Sequence, residues 1–275
     1  MSLSRRLRRI TLSQVAAALV VVFLLLPFVI VMGASFDQSG AYEIRFPPRS
    51  LSLEAYAGIG KYLPALGRSA MVGACVAALA TVFGLMAALG IVRSGIVGKE
   101  TLQAFFRLSV QIPMVVTGAV FLQFYYHVSA VLPWNPMSSM AGLVIAHLFV
   151  AIPYTVGAIS AVLVRIDPSV EEAANSLGAS HWATFREVTF PMLRPGLVAG
   201  MFYAFIMSFG DVPIAIFLVN QDTMTLPVQI FQDMQFDFQR GMLAVSTIVV
   251  VLSLALILGL QRYAGLDLVS SSGRK

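Results

Sequence analysis

In this 275-residue chain, the ionisable side chains that could take part in chemistry lie within strongly apolar stretches. Asp211 lies within one such stretch, with Pro213 two positions later, and His147 lies within another. A charge at the centre of a membrane-spanning helix costs about 2.5–3.5 kcal/mol, so such residues generally face a bundle interior or a water-filled cavity. We expect Asp211, Pro213 and His147 to line a path across a membrane. Plainer interpretations stay open: an aspartate near the interface or satisfied by a neighbouring helix, and a histidine hydrogen-bonded in the bundle.

Motifs for catalysis or nucleotide binding are missing from the sequence. The strings at 58–61 and 95–99 lack the spacing of a Walker A loop. No G-x-S-x-G elbow, no H-E-x-x-H and no cluster of cysteine and histidine occurs, and the single cysteine, Cys75, excludes an intrachain disulfide. We therefore predict a protein that is not an enzyme and carries no cofactor or metal ion. Energy for uphill transport would then come from another polypeptide or from an ion gradient.

The composition is that of a membrane protein. Hydrophobic residues make up 58% of the chain and charged residues 11%, whereas about a quarter of a soluble domain is charged. So few charged side chains do not cover the surface of a soluble globule, and so apolar a chain is not disordered. In a membrane protein, the positive net charge of +5 indicates which side of the membrane the basic loops occupy. We therefore expect no nucleic-acid partner.

Six stretches are long enough to cross a bilayer, whose core of about 30 Å requires roughly 20 helical residues. The predicted spans are about 15–34, 69–92, 108–126, 140–164, 196–219 and 241–260. The second is rich in alanine and glycine, which let helices approach closely, so we expect it at the centre of the bundle. The predicted fold is therefore all-α, one polytopic membrane domain over residues 1–275.

The basic residues favour one orientation in the membrane. Four arginines, Arg5, Arg6, Arg8 and Arg9, precede the first span. With the N-terminus inside, most other basic residues also fall in inside segments, so both termini are predicted to be cytoplasmic. A cleaved secretory signal is the competing interpretation, but its apolar core is usually 7–15 residues, shorter than the run here.

The loop between the fourth and fifth spans, residues 165–194, is the most structured of the predicted cytoplasmic segments. Asp167-Pro168-Ser169 is typical of a helix start, and Ser169 with Glu172 matches a capping box. Gly178 is the expected C-terminal residue of this helix. A second short helix is predicted to follow Ser180 and to stop at Pro191.

Two functions are open for this helix pair. The apolar positions of the first helix share one face, with the spacing i, i+3, i+4 and i+7. They are Val170, Ala173, Ala174 and Leu177. The pair either covers the inner face of its own bundle or docks into a groove of a partner, with Glu171 and Glu172 at the rim of the contact.

The same loop resembles a known signature. Glu172-Ala173-Ala174, Gly178 and Val188-Thr189-Phe190-Pro191 are spaced as in EAA-x3-G-x9-I-x-L-P, with valine for isoleucine and phenylalanine for leucine. That signature marks the membrane subunits of binding-protein-dependent ABC importers, and the resemblance covers roughly residues 51–264. It implies a coupling helix at about 169–177, seated in a cleft of an ATPase subunit. The implied coupling interface comprises Glu171, Glu172, Ala173, Ala174, Leu177, Gly178 and Pro191.

The resemblance also implies a set of partners. A permease of this family pairs with a second permease, homologous or identical, on a dimer of ABC ATPase subunits that bind ATP and Mg²⁺. It receives solute from an extracytoplasmic binding protein and lies in the lipid bilayer of a bacterial inner membrane. Residues 46–56, 208–211 and 225–231 further resemble the spermidine/putrescine branch with its opine and aminoalkylphosphonate relatives. This implies a small organic amine or phosphonate as the solute.

Two other classes of protein remain as alternatives. An ion-coupled secondary transporter would carry several ionisable residues within its spans and often internal repeats, neither of which is visible here. A membrane scaffold or assembly factor would use the 165–194 loop only for docking. Association with an ATPase that carries a Walker A motif distinguishes an importer subunit from both.

Overall fold

A computed structural model describes residues 12–37, 46–236 and 238–264, and the described chain is helical throughout its regular elements. No strand occurs among these residues beyond an isolated bridge between Asp37 and Leu51. Arg5, Arg6, Arg8 and Arg9 lie outside the described residues, so the cytoplasmic termini stay a prediction. The helices are α1 (Leu12–Ala34), α2 (Glu54–Ala57), α3 (Leu63–Arg93), α4 (Lys99–Gln111), α5 (Met114–Val131), α6 (Met140–Leu163), α7 (Pro168–Ser176), α8 (His181–Thr184), α9 (Phe190–Phe209), α10 (Ala215–Leu218), α11 (Leu226–Phe236) and α12 (Arg240–Ala264).

The helices group into two compact units, so the single domain predicted for residues 1–275 stays a prediction. One unit contains α1, α2 and α12, and the other contains α3 to α10. In the first unit, the hydroxyls of Ser35 and Tyr56 lie 2.8 Å apart and join the end of α1 to α2. Lys61 Nζ lies 3.1 Å from the Asp233 carboxylate in the same unit. The apolar side chains of α1 are exposed, as a helix surrounded by lipid requires.

Five helical segments among the described residues are long and apolar enough to cross a membrane. They are Leu12–Ala34, Glu54–Arg93, Met114–Val131, Met140–Leu163 and His181–Phe209. The sixth predicted span, 241–260, falls within α12. The apolar part of α12, Arg240–Ala255, is shorter than the other five segments. Five of the six predicted crossings thus correspond to helices of sufficient length, and the sixth stays a prediction.

Several predicted spans have different limits in the structure: α3 is longer than the second span, and the third and fifth spans each include an interruption of the helix. The third span begins at Met114 and not at 108, because Pro113 separates α5 from the preceding amphipathic helix α4. The fifth ends at Phe209 and not at 219, and the chain resumes as the short helix α10. Gly210 and Pro213 lie in this break, and a proline has no N–H for the helical ladder.

The second unit is built on three mutually packed helices, α3, α6 and α9. Helix α3 contributes a continuous buried stripe that includes Val72, Val76, Ala80 and Ala88. Towards one end of the three helices, Val72 and Val76 of α3 belong to a hydrophobic cluster that includes Tyr125 of α5, and towards the other, Ala88 belongs to a cluster with Leu163 of α6 and Leu193 of α9. The central position predicted for the second span is therefore confirmed.

Glycines of both neighbouring helices approach Thr155 of α6 closely. A Cβ added at Gly84 of α3 would lie 2.3 Å from the Thr155 hydroxyl oxygen, and one at Gly200 of α9 would lie 3.3 Å from the Thr155 Cα. The Thr155 hydroxyl also donates to the carbonyl of Ala80 across the α3–α6 contact, at 2.8 Å. Close backbone approach and an interhelical hydrogen bond are the main sources of helix association in lipid.

We predict that Gly84→Ala destabilises the protein, because the added methyl group has no space beside Thr155. Overpacking of this kind costs about 1–3 kcal/mol. The matched control is Gly90→Ala on the same helix, where a Cβ would meet no heavy atom within 4 Å. Thermal unfolding in detergent should show a lower melting temperature for Gly84→Ala alone, and equal melting temperatures for the two variants would contradict this packing.

Candidate functional site

The first helix of the 165–194 loop, α7, begins at an aspartate cap. The side chain of Asp167 accepts a hydrogen bond from the Ser169 backbone N–H at 2.9 Å, and Pro168 occupies the first turn. This backbone hydrogen bond lowers the pKa of the Asp167 carboxyl. The predicted capping box of Ser169 and Glu172 is therefore wrong, because Asp167 takes the capping position two residues earlier.

Helix α7 ends at Gly178, as predicted. Gly178 has φ +93°, a left-handed conformation that residues with a Cβ rarely adopt. The Ala179 N–H donates to the Ala174 carbonyl at 3.1 Å, and the Gly178 N–H donates to the Asn175 carbonyl at 3.0 Å. These two bonds form a Schellman motif that satisfies the last carbonyls of the helix.

The second helix of the loop does not stop at Pro191. Helix α8 is capped by the Ser180 side chain, which accepts from the Ala183 N–H at 3.2 Å. A π-helical turn, Phe185–Thr189, then connects α8 directly to α9. A proline removes one backbone donor and crowds the preceding turn, and the wider π-helical turn lets the helix continue through Pro191.

The face of α7 that contacts its own chain is polar. Glu171 Oε1 lies 3.2 Å from Nη2 of Arg93, the last residue of α3, and accepts a hydrogen bond from the Thr189 hydroxyl at 3.0 Å. One turn along, the Asn175 side chain accepts a hydrogen bond from the Thr184 hydroxyl at 2.9 Å. Glu171 is thus partly buried and bonded within its own chain, and its place at the rim of a partner contact stays a prediction.

The opposite face of α7 is apolar and exposed. Leu177 is 89% exposed, Val170 and Ala173 are also exposed, and no residue of α7 is buried. Ala174, predicted on the same stripe, lies partly buried between the two faces. Among the other residues of the predicted interface, Glu172 and Gly178 are exposed and Pro191 is partly buried.

His147 and Asp211 meet inside the second unit. His147 Nε2 lies 3.4 Å from Asp211 Oδ1, and its Nδ1 lies 2.8 Å from the Ser208 hydroxyl. The same Asp211 oxygen accepts hydrogen bonds from the N–H groups of Ile214 and Ala215, at 3.1 and 2.8 Å. Asp211 therefore binds two backbone N–H groups at the start of α10, whose N-terminal cap residue is Ile214.

The surroundings of Asp211 favour the plainer of the two interpretations. His147 and Asp211 are 4% and 8% exposed, and the space beside them is about 10 Å³. That volume is about the minimum for one water molecule. The structure brings two of the three predicted path residues, His147 and Asp211, into contact in a buried site beside Ser208, and their role in a path stays a prediction.

A larger cavity, of about 760 Å³, was not predicted from the sequence. It is bounded by α4, α6 and the end of α3, and its lining is mostly apolar, with Gln103, Gln111, Tyr154 and Arg165 among the polar residues. Sequence patterns did not indicate it, because α4 was not recognised as a helix separate from the third span. Among the described residues, no group of three histidine, cysteine, aspartate or glutamate side chains could hold a metal ion.

Residues 80–266 match the family described as binding-protein-dependent transport system inner membrane component. This range contains the C-terminal part of α3, α6, the 165–194 loop and α9. The chain belongs to this family. Members of the family are membrane permeases, which places the helices of both units in a multi-pass transport protein.

The relatives are permeases of several transport systems. The chain is 34% identical over 188 residues to the probable sulfate transport system permease protein cysT of Chlorokybus atmophyticus, covering 65% of each chain. It is 29% identical to the putrescine transport system permease protein PotI of Escherichia coli, covering 68% of this chain and 67% of that one. The chain thus spans about two thirds of the length of these relatives. It is 27% identical to the putative 2-aminoethylphosphonate transport system permease protein PhnV of Salmonella paratyphi A, over 91% of this chain and 92% of the relative.

Two solved structures share the fold. A bacterial ABC transporter involved in the import of the acidic polysaccharide alginate superposes with a TM-score of 0.61, at 14% identity over 91% of this chain and 94% of that chain. An amino acid ABC transporter superposes with a TM-score of 0.54, at 19% identity over 76% of this chain and 94% of that chain. At these identities the likeness concerns the fold alone.

We predict that Gly178→Val loosens the end of α7, whereas Gly178→Asn is tolerated. A β-branched residue is strongly disfavoured at φ +93°, but asparagine adopts the left-handed region more readily. The expected cost for valine is about 1–2 kcal/mol. Hydrogen exchange should show lost protection of the backbone N–H groups at positions 178 and 179 in the valine variant only. Equal protection in the valine and asparagine variants would contradict the assigned cap.

We predict that Asp211→Ala destabilises the second unit, whereas Asp211→Asn retains most of its stability. Alanine leaves the N–H groups of Ile214 and Ala215 without an acceptor, and each unsatisfied buried group costs about 1–3 kcal/mol of stability. Asparagine keeps an acceptor oxygen for both groups. Thermal unfolding in detergent measures the difference. Wild-type stability in both variants, with transport lost in both, would instead indicate that the charge of Asp211 contacts the solute.

Proposed function

We propose that this chain is the permease subunit of an ATP-driven ABC importer in a bacterial inner membrane. It pairs with a second permease, homologous or identical, so that each contributes half of the translocation path. The pair sits on two ATPase subunits, which bind ATP and Mg²⁺, and receives its solute from an extracytoplasmic binding protein. The chain itself has no catalytic role. Membership of the permease family supports this assignment.

The observation that carries the proposal is the reversed polarity of α7. A helix that merely covered its own bundle would place its apolar side chains inward, yet α7 places Glu171 and Asn175 inward and exposes Val170, Ala173 and Leu177. Small and apolar side chains on a rigid, capped helix form a surface suited to a groove of another protein. The exposed Trp182 of α8, at 67%, extends this surface.

An ion-coupled carrier is less well supported. Such a carrier needs ionisable residues that can reach its substrate or coupling ion within the membrane. Asp211 uses one carboxylate oxygen for two backbone N–H groups, and His147 is engaged by Ser208. The described polar cluster therefore serves the local backbone, and the energy for transport is better assigned to a partner ATPase.

The solute we propose is a small organic amine, opine or phosphonate. The names of the relatives supply the support: putrescine and 2-aminoethylphosphonate are small amines, and the phosphonate permease aligns over nearly the whole chain. Sulfate, the solute named for another relative, is also small and charged. The binding protein would set most of the selectivity.

The translocation path is better assigned to the α6 side of the second unit than to Asp211. The 760 Å³ cavity is lined along α6 by small residues, including Gly157, Ala158 and Ala161, and Gly157 and Ala161 are exposed. A second permease facing this surface would enclose a path of mixed polarity. Its polar groups include the neutral hydrogen-bonding side chains of Gln103, Gln111 and Tyr154 and the positive charge of Arg165.

We predict that the chain co-purifies with an ABC ATPase that carries a Walker A motif, and that Ala173→Arg breaks this association. Arginine places a bulky charge at the centre of the exposed face, and the association should weaken by at least about tenfold, ~1.4 kcal/mol. The control is Val97→Glu, which alters a residue that is 98% exposed in the connection between α3 and α4.

Pull-down from detergent-solubilised membranes, with ATP hydrolysis measured on the eluate, decides the matter. Undiminished ATPase recovery with Ala173→Arg would contradict docking through this face. Proton- or sodium-dependent uptake in proteoliposomes without any ATPase would instead establish the carrier alternative.

A further inference from the structure

Glu171 joins three segments of the chain at one carboxylate oxygen. Its Oε1 lies 3.2 Å from Arg93 Nη2 at the end of α3 and 3.0 Å from the Thr189 hydroxyl in the turn before α9. The same Arg93 nitrogen lies 3.0 Å from the Ile166 carbonyl oxygen, in the segment that connects α6 to α7. Glu171 itself belongs to α7, so a displacement of α7 acts directly on α3 and on the base of α9.

The pair of Arg93 and Glu171 is more enclosed than a surface ion pair. Each side chain is 21% exposed, whereas the neighbouring pair of Arg186 and Glu187 is 67% and 63% exposed. Partial enclosure reduces screening by salt and holds both side chains in one geometry. The Arg93 pair can therefore transmit a displacement, which a solvated pair on flexible side chains cannot.

Stability alone does not account for an arginine at position 93. The Nε of Arg93 is buried without a hydrogen-bond partner among the described residues, and an unmet buried donor carries a cost. Partly buried ion pairs are also weak contributors to stability, because desolvation offsets their attraction. What the pair does provide is a fixed distance between the end of α3 and the first turns of α7.

The third member of this group, Thr189, ends the π-helical turn Phe185–Thr189. Single π-helical turns occur mostly as interruptions of α-helices, frequently at functional sites. Here the turn directs the Thr189 hydroxyl at Glu171, and Thr189 itself is buried. The helix that starts after this turn, α9, is one of the three packed helices of the core.

We propose that Glu171 is a positioning residue which, through Arg93 and Thr189, carries the movement of α7 into α3 and α9. This rests on the proposed function, in which an ATPase moves α7. Because α3 and α9 also pack against α6, a displacement delivered to both shifts the core as one body. Glu172, the adjacent acidic residue, is exposed and takes no part in this linkage.

The lone cysteine of the chain provides a reporter for this proposal. Cys75 is exposed on α3, 18 positions before Arg93. The full complex with its ATPase, in lipid nanodiscs, is labelled at Cys75 with an environment-sensitive fluorophore. Emission is then compared with and without ATP and vanadate, which trap the closed ATPase dimer.

In the wild-type complex the emission should change on trapping, and this change should be lost in Arg93→Ala and in Glu171→Gln. Arg93→Ala should still bind the ATPase and retain ATP hydrolysis, so that movement is produced but does not reach α3. Arg93→Lys, which keeps the positive charge, should recover part of the emission change. The double variant Arg93→Glu with Glu171→Arg, which exchanges the two charges, should do the same. Glu187→Gln, in the exposed pair, should respond as the wild type does.

The outcomes separate this proposal from the proposed function. Failure of the wild-type chain to associate with any ATPase would contradict the proposed function. A formed, ATP-hydrolysing complex whose Cys75 signal is static, or is unchanged by Arg93→Ala, would overturn the linkage alone. If Arg93→Ala lowers the melting temperature, its loss of signal could reflect instability. The Glu171→Gln variant then tests the linkage, because it keeps an acceptor for Thr189 and removes only the charge.

Discussion

The helical core depends on the close approach of three helices at Thr155. Lipid chains are as apolar as leucine, so membrane helices gain little from burying apolar surface and associate through close packing and hydrogen bonds. Gly84 on one side and Gly200 on the other leave the space that Thr155 occupies, and its hydroxyl bonds the Ala80 carbonyl. Helices α3, α6 and α9 are thereby held at fixed separations, and a displacement applied to one is imposed on its neighbours.

Both ends of this core carry polar groups that bond to other residues of the same chain. Where α9 ends, the backbone N–H groups of Ile214 and Ala215 bond to Asp211, which replaces the helical partners that they lack. Towards the 165–194 loop, Arg93 and Thr189 both contact Glu171. The first set fixes a break in the backbone, and the second connects separate helices, so only the second has the geometry to pass on a movement.

The sequence predicted what depends on local residue chemistry and missed what depends on distant partners. Gly178 was predicted to end α7 because few other residues adopt its backbone conformation. The choice between Asp167 and Ser169 as the cap was ambiguous, since either side chain can take that position. The inward orientation of Glu171 was not predictable, because it is set by Arg93, 78 positions earlier in the chain. The π-helical turn that lets the helix pass Pro191 has no local signature either.

The orientation of α7 explains how one short helix can serve two contacts. Val170, Ala173 and Leu177 alone would let the helix bury its apolar face against its own bundle and leave nothing for a partner. Glu171 and Asn175 prevent this, because their bonds to Arg93, Thr189 and Thr184 require the polar face inward. The apolar face is then exposed by necessity, on a helix capped at both ends by Asp167 and Gly178. The polar side of α7 therefore fixes the helix to its own chain, and the apolar side remains exposed.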